Sequence, residues 1–179
     1  MIKIVAIVVG VLVVSAVLVI LIGYMLPKHH VASRAITLHR PPGEVFTLIS
    51  DFQDGASWRT DVESVDMLSA ADGQTRFREH VKGAGAITMR VVQSNPPQRL
   101  VTQIDDKSLP FGGMWIFEIS PVPGGSRLNI TERGEIYNPI FRFVSRFFLG
   151  YTRTIDTYLQ NVARKFGESA APENGSPAT

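Results

Sequence analysis

The longest apolar segment of the chain is residues 4–26, which contain no charged side chain. A helix needs about 20 apolar residues to cross a hydrocarbon core about 30 Å thick. In hydrocarbon, a helix also satisfies its own backbone hydrogen bonds. Lys3 precedes the segment, and Pro27 and Lys28 follow it. The pattern predicts one N-terminal transmembrane helix, and we assign residues 1–30 to this anchor and its linker.

A cleaved signal peptide is the alternative interpretation of this segment. Signal peptides have an apolar region of about 7–15 residues, followed by a small-residue cleavage site. The apolar segment here is longer, and residues 23–28 (GYMLPK) contain no such site. These observations favour a retained anchor, so the bilayer is a predicted partner of the chain.

Residues 32–137 show short strand patterns separated by turn residues. Residues 32–39 (ASRAITLH) predict a first strand, which Pro41 and Pro42 end before a short amphipathic helix around residues 45–49. Further strands are predicted at 62–68, 75–82, 86–93, 99–105, 114–120 and 126–137, and residues 71–73 are the predicted turn after the first of these. No helical pattern intervenes, which predicts an antiparallel meander.

The C-terminal part predicts one long amphipathic helix over residues 138–166. Asn138 suits the N-cap and Pro139 the first helical position. Apolar residues then recur at intervals of three and four up to Phe166, and Gly167 can end the helix. Residues 168–179 are small and polar and contain proline, which predicts a disordered tail.

These elements predict an α+β domain over residues 31–167. A sheet with one apolar face and a helix with a matching apolar stripe bury each other. We therefore expect a curved antiparallel sheet wrapped around the long C-terminal helix, with the transmembrane helix preceding it.

Composition narrows the function classes. The chain has 18 Lys and Arg against 16 Asp and Glu, and Lys3 and Lys28 flank the apolar segment. The rest of the chain is therefore formally neutral, which argues against a nucleic-acid partner. The chain has no cysteine, which excludes disulfides, thiolate metal sites and cysteine nucleophiles. Lys28, Arg34 and Arg40 follow the span while Lys3 and the α-amine precede it, and this bias favours a cytoplasmic domain.

Catalytic and metal-binding motifs are not found in the sequence. The four histidines show no HExxH spacing, and no GxSxG, GxxxxGK[ST] or GxGxxG motif occurs. His29 and His30 are adjacent on a predicted linker with no third ligand nearby, so neither a metal nor a cofactor is predicted. A dyad of His80 with Glu132 stays open, whereas Glu79 and His80 are strand neighbours and point to opposite faces.

Two glutamates lie in line with apolar residues on predicted strands. The alternation places Glu79 on the face of Phe77, and Glu132 on the face of Ile130. A carboxylate in an apolar wall needs a partner. The candidate partners are Arg78, Arg90, Arg133 and a tyrosine hydroxyl. Both glutamates are either ligand contacts or members of structural ion pairs.

Aromatic residues are concentrated on the predicted sheet and last helix. They either fill a packed core or line an apolar cavity between the two elements, and a ligand pocket has mostly apolar walls with a few polar groups. The predicted ligand-binding residues are Phe77, Glu79, Met89, Trp115, Phe117, Glu132, Phe147 and Tyr151.

Four segments carry a resemblance to a known superfamily. They are residues 41–46 (PPGEVF), 57–59 (SWR), 125–135 (GSRLNITERGE) and 138–143 (NPIFRF). Residues 32–167 resemble the START-like, or SRPBCC, superfamily, in particular its polyketide cyclase/dehydrase and lipid-transport branch. Residues 138–143 look like those of membrane-anchored bacterial members. The resemblance implies a helix-grip fold with an apolar tunnel that binds lipids, polyketides or sterols. It supplies no single catalytic motif.

Three functions follow as expectations. The first is membrane-tethered binding or transport of a lipid or other hydrophobic small molecule, which the anchor favours. The second is a cyclase or dehydrase that moves a proton with Glu79 or Glu132. The third is a protein-interaction or stress-response module whose partner the sequence does not identify. We expect binding rather than catalysis.

Overall fold

The computed structural model describes residues 1–69 and 73–178. Ala71 and Asp72, which belong to the predicted turn at 71–73, lie outside the described residues, as does Thr179 of the tail.

The N-terminal apolar segment forms helix α1, Ile2–Met25. By length and composition this helix could cross a membrane, although a signal sequence would meet the same criteria. Its side chains are exposed along most of its length, and Gly23 is its buried residue. The predicted N-terminal helix is confirmed.

The domain is built on an eight-stranded antiparallel sheet with the order β2-β3-β4-β5-β6-β7-β1-β8. Its strands are β1 (His29–Leu38), β2 (Val62–Leu68), β3 (Arg76–Val81), β4 (Gly85–Asn95), β5 (Arg99–Ile104), β6 (Phe111–Val122), β7 (Gly125–Ile136) and β8 (Glu173–Asn174). Strands β2 to β7 pair in chain order, which confirms the predicted meander. Strand β1 then pairs with β7 from His29 opposite Glu135 to Leu38 opposite Ser126.

Strand β1 begins earlier than predicted. His29 and His30 pair with β7, and the Ile136 amide donates to the Lys28 carbonyl at 2.8 Å. Both histidines therefore lie in the sheet rather than in a linker. The alternation of apolar residues starts only at residue 32, so the side-chain pattern could not show that β7 extends the pairing.

Two short helices, α2 (Pro42–Ser50) and α3 (Gly55–Trp58), connect β1 to β2. Val45, Phe46 and Ile49 are buried, as the predicted amphipathic pattern requires. Proline lies at the start of α2, where its missing N–H group costs nothing.

The prediction of one continuous C-terminal helix is wrong. The segment consists of α4 (Pro139–Val144), a π-turn (Ser145–Leu149) and α5 (Arg153–Lys165). Asn138 caps α4, and its side chain accepts from the Phe141 amide at 3.1 Å. Gly150 ends the π-turn with φ +72°, a conformation that glycine adopts easily. The apolar stripe continues through this break, so its period alone could not reveal it.

Helix α5 is the helix that the sheet grips, which confirms the helix-grip architecture. Ile155, Leu159 and Val162 of α5 are fully buried. They belong to one core cluster with Ile36 and Leu128 of the sheet. Removing such apolar area from water is the main stabilising contribution to the fold.

The tail, predicted to be disordered, instead follows the edge of the sheet. Strand β8 pairs with β1 at Arg34 and Ala35, and Arg127 forms an ion pair with Glu173. The Ala178 amide donates to the Thr131 hydroxyl at 2.9 Å. Strand β1 has a free edge that can accept backbone hydrogen bonds, and the composition of the tail carries no information about that edge.

Candidate functional site

A cavity of about 660 Å³ lies between the concave face of the sheet and α5. This volume is in the range of pockets that enclose small organic ligands. Apolar side chains supply most of its wall. They include Phe77, Val81, Ile87, Met89, Ile104, Trp115 and Phe117. The interior of the domain is therefore partly hollow rather than packed throughout.

All of the predicted ligand-binding residues except Phe147 line this cavity. These lining residues are Phe77, Glu79, Met89, Trp115, Phe117, Glu132 and Tyr151. Phe147 lies on the π-turn and is 57% exposed. Ser145 and Leu149 of the same π-turn do line the cavity, so the π-turn and the break at Gly150 decide which side chains face it, and the assumption of one continuous helix missed this. Whether the lining residues contact a ligand stays a prediction.

An ion cluster around Arg59 forms one polar part of the cavity wall. The Arg59 Nη1 donates to Glu79 Oε1 at 2.5 Å, and its Nη2 donates to Asp61 Oδ2 at 2.8 Å. The Arg59 and Glu79 side chains are only 12% and 16% exposed. Glu79 faces the interior as predicted, but its partner is none of the arginines predicted for it.

Arg59 was missed because it does not lie on a strand. Arg59 directly follows α3 and contacts Glu79 of β3 from that connecting segment. The alternation along a strand predicts only which residues of that strand share a face, so it could not indicate this contact. Arg78 is the nearest predicted partner in sequence, and it bonds to the Thr88 hydroxyl instead.

Hydrogen bonds connect the Arg59 cluster to α5. The buried Asn161 of α5 donates to Asp61 Oδ1 at 3.2 Å and accepts from the Thr60 hydroxyl at 3.2 Å. The Arg59 guanidinium also lies over the Tyr158 ring, 5.2 Å from its centroid. Such cation–π contacts are attractive, most of all when they are shielded from water.

Electrostatics fix the charge states of this cluster. Burial by itself lowers the pKa of Arg59, but the charge of Glu79 and the hydrogen bond to Asp61 outweigh burial and raise this pKa above its usual value. Burial also raises the pKa of the Tyr158 phenol, which the charge of Arg59 opposes and that of Glu79 reinforces. Arg59 is therefore a permanent cation and Tyr158 a neutral phenol at physiological pH.

The Tyr158 hydroxyl has no hydrogen-bond partner within residues 1–69 and 73–178, although the ring lines the cavity. Its ring packs edge-on against Trp58 at 5.4 Å and Trp115 at 5.6 Å between centroids. The hydroxyl oxygen is open to the cavity rather than enclosed without a partner. A ligand hydroxyl or carbonyl could supply the partner that the described part of the chain does not.

Substituting Tyr158 with phenylalanine tests these charge states. We expect the free energy of unfolding at pH 7 to change by less than about 0.5 kcal/mol, because the Tyr158 hydroxyl has no hydrogen bond to the described part of the chain that the substitution would remove. Above about pH 10 the unfolded chain ionises Tyr158 while the folded chain keeps it protonated, so the parent loses stability as the pH rises. Denaturation in detergent at pH 7 and pH 11 should show a shallower loss for Y158F, and parallel losses would contradict the assignment.

A second polar group in the wall combines His30, Glu132 and Tyr151. The His30 Nε2 lies 3.3 Å from Glu132 Oε1, and its ring stacks on Tyr151 with 4.1 Å between centroids. Gly134 makes room for this histidine, because a Cβ atom there would overlap the imidazole. His30 was missed because it was assigned to the linker.

The dyad of His80 with Glu132, which the sequence left open, does not form. His80 Nε2 lies 2.8 Å from Asp66 Oδ2 on the exposed side of the sheet. Glu132 instead faces the interior in line with Ile130, as the alternation predicted.

The model of one protein family matches residues 29–167, and the family is described as polyketide cyclase / dehydrase and lipid transport. No functionally curated protein matches the chain in sequence. The match covers strands β1 to β7 and continues to the end of α5, and it leaves out β8.

Solved structures show the same fold at low sequence identity. The Zhui aromatase/cyclase from Streptomyces sp. R1128 aligns with a TM-score of 0.63 and 14% identity, covering 76% of this chain and 93% of that one. A START superfamily protein from Mycobacterium smegmatis aligns with a TM-score of 0.59 and 16% identity, covering 76% and 96%. A conserved protein from Geobacillus kaustophilus gives 0.63 and 12%, covering 81% and 100%.

Proposed function

The chain belongs to the polyketide cyclase/dehydrase and lipid transport family, and from this membership we propose that its domain binds a hydrophobic small molecule or lipid beside a membrane. The observation that carries the proposal is the cavity of about 660 Å³ with apolar walls and a few polar groups. Ligand pockets have this character.

The charges around the cavity favour a ligand without a negative charge. Arg59 is already neutralised by Glu79 and Asp61, so this cluster carries one net negative charge. The lining as a whole has more carboxylates (Asp51, Asp61, Glu79, Glu132 and Glu135) than cations (Arg59, Lys82 and Arg153). A ligand carboxylate would meet repulsion in a site of low dielectric constant. The ligand we propose has a large apolar body and one neutral polar group, such as a hydroxyl or carbonyl, directed to Tyr158.

Two contacts support retention of α1 as the membrane anchor. Gly23 lies directly against Pro139, where a Cβ atom would overlap the Pro139 carbonyl. The buried Arg142 donates to the Leu26 carbonyl at 2.7 Å. A cleaved signal peptide would leave this docking surface empty. A retained anchor raises the effective concentration of the domain at the lipid surface.

The test of this function uses the intrinsic fluorescence of the full-length protein. Both tryptophans of the chain, Trp58 and Trp115, line the cavity. We expect a long-chain alcohol to change their emission saturably and to bind about tenfold more tightly than the carboxylic acid of the same length, which corresponds to about 1.4 kcal/mol. Mass spectrometry of the purified protein should detect a co-purifying neutral hydrophobic molecule. Unchanged emission with both probes and no co-purified molecule would refute the proposal.

A cyclase or dehydrase activity is the second candidate. Glu79 and Glu132 both face the cavity, as a proton-transfer role would require. However, Arg59 holds Glu79 and His30 lies against Glu132, so each carboxylate already has a partner. E132Q separates the two functions, because it removes any turnover that depends on this base, whereas it keeps the size of the side chain and should change the affinity for the alcohol far less than the turnover.

A further inference from the structure

An exposed apolar surface lies next to the C-terminal end of α1. We name it the α4 patch, and it consists of Ile140, Phe141, Phe147, Phe148 and Leu149. Phe148 is 74% exposed and Phe147 is 57% exposed. Large neighbouring aromatic side chains in water are uncommon on soluble domains and mark interaction surfaces.

The position of the patch relative to α1 identifies what covers it. From Ile4 to Met25, α1 is about 33 Å long at 1.5 Å per residue, close to the hydrocarbon thickness of about 30 Å. Its last turn therefore lies at the membrane interface when the helix spans. Helix α4 is docked on that turn through Pro139 against Gly23 and Arg142 over the Tyr24 ring at 6.0 Å. The α4 patch is thus held at the level of the lipid headgroups.

The charges beside the patch agree with this position. The sequence has no acidic residue between Glu135 and Asp156, whereas Arg146 and Arg153 are both exposed there. Lys28 is exposed at the end of α1. Aromatic and apolar side chains flanked by basic residues are typical of segments that lie in the membrane interface, where basic residues meet anionic headgroups.

We propose that the α4 patch inserts into the surface of the bilayer that α1 spans. Phe141 and Leu149 belong to the patch and also line the cavity. The cavity therefore opens at the lipid surface, and a ligand can pass between bilayer and cavity without crossing bulk water. Insertion of the patch rests on α1 as the retained anchor and is independent of ligand binding, whereas this loading route also rests on the proposed binding function.

Site-directed spin labelling tests the insertion, and the absence of native cysteine makes single labels straightforward. The full-length F148C and S94C variants are labelled in nanodiscs of phosphatidylcholine and phosphatidylglycerol. Ser94 serves as the control, because it is exposed and lies at the C-terminal end of β4, which is the end far from the α4 patch. We expect the label at position 148 to be accessible to oxygen and protected from a water-soluble nickel complex, and the label at 94 to show the reverse.

Two results would overturn the insertion. One is equal nickel accessibility at both positions, which would place the patch in water. The other is protection of position 148 from both reagents with spin–spin coupling between copies, which would place a second copy of the chain on the patch.

The loading route has its own test. The double variant F147S/F148S removes exposed side chains that do not line the cavity, and V92S removes a 50% exposed apolar side chain on β4 as the control. We expect F147S/F148S to slow transfer of a fluorescent alcohol from vesicles by about tenfold while its equilibrium affinity in detergent is unchanged. Unchanged transfer would overturn the route. If the parent protein also shows no measurable affinity for the fluorescent alcohol, the binding function is refuted, and the insertion result is unaffected.

Discussion

Replacing Arg59 with methionine is expected to lower the free energy of unfolding by about 3–5 kcal/mol. The substitution removes the cation that Glu79 and Asp61 share and leaves two carboxylates in a mostly buried cluster. Buried charges without a counter-charge are strongly unfavourable. The loss is measured by denaturation in detergent, with tryptophan emission as the signal.

A matched control separates this effect from the loss of any surface cation. Lys165 lies 3.6 Å from Asp54, and both side chains are more than 40% exposed. K165M should therefore change the free energy of unfolding by less than about 1 kcal/mol. Equal losses in R59M and K165M would contradict the buried role of Arg59.

A rescue variant tests the same cause. Substituting both carboxylates in the same chain, as R59M/E79Q/D61N, should recover part of the loss at pH 7. A triple variant no more stable than R59M would show that the loss comes from packing rather than charge.

The sequence predicts the sheet well because alternation is a local signal. It places Glu79 and Glu132 on the interior face, and the structure confirms both. It cannot predict the partner of Glu79, because Arg59 reaches it from a segment outside the strand pattern. The same limit explains His30, whose position depends on how far β7 extends beside it.

Breaks and edges are the other features that periodicity does not report. The apolar stripe runs through Gly150 unchanged, yet the chain turns there and leaves Phe147 outside the cavity. The tail pairs with β1 because that strand offers free backbone groups, which the side chains of residues 168–178 do not indicate. The break at Gly150 and the pairing of the tail with β1 both depend on backbone conformation and backbone hydrogen bonds, whereas the predictions used only the character of the side chains.

Filling the cavity is expected to weaken ligand binding strongly with little cost in stability. Val81 and Met89 both line the cavity, on β3 and β4. The double variant V81W/M89W places two large rings in space that the ligand would occupy. We expect the affinity for a neutral long-chain alcohol to fall by about a hundredfold, which corresponds to about 2.8 kcal/mol. Because the variant adds tryptophans, a fluorescent alcohol and mass spectrometry replace intrinsic emission as the readout.

The stability of the same variant distinguishes a hollow interior from a packed one. Enlarging side chains in a close-packed core costs about 1–3 kcal/mol at each site, because neighbours must move. In a cavity of about 660 Å³ the added rings have room. They also make van der Waals contacts with the apolar side chains of the cavity wall, which is favourable. V81W/M89W should therefore unfold within about 1 kcal/mol of the parent. The control V92W alters a residue of β4 that is 50% exposed, and it should keep both stability and affinity. A large loss of stability in V81W/M89W would show that the interior is filled in solution, and the binding function would then lose the observation that carries it.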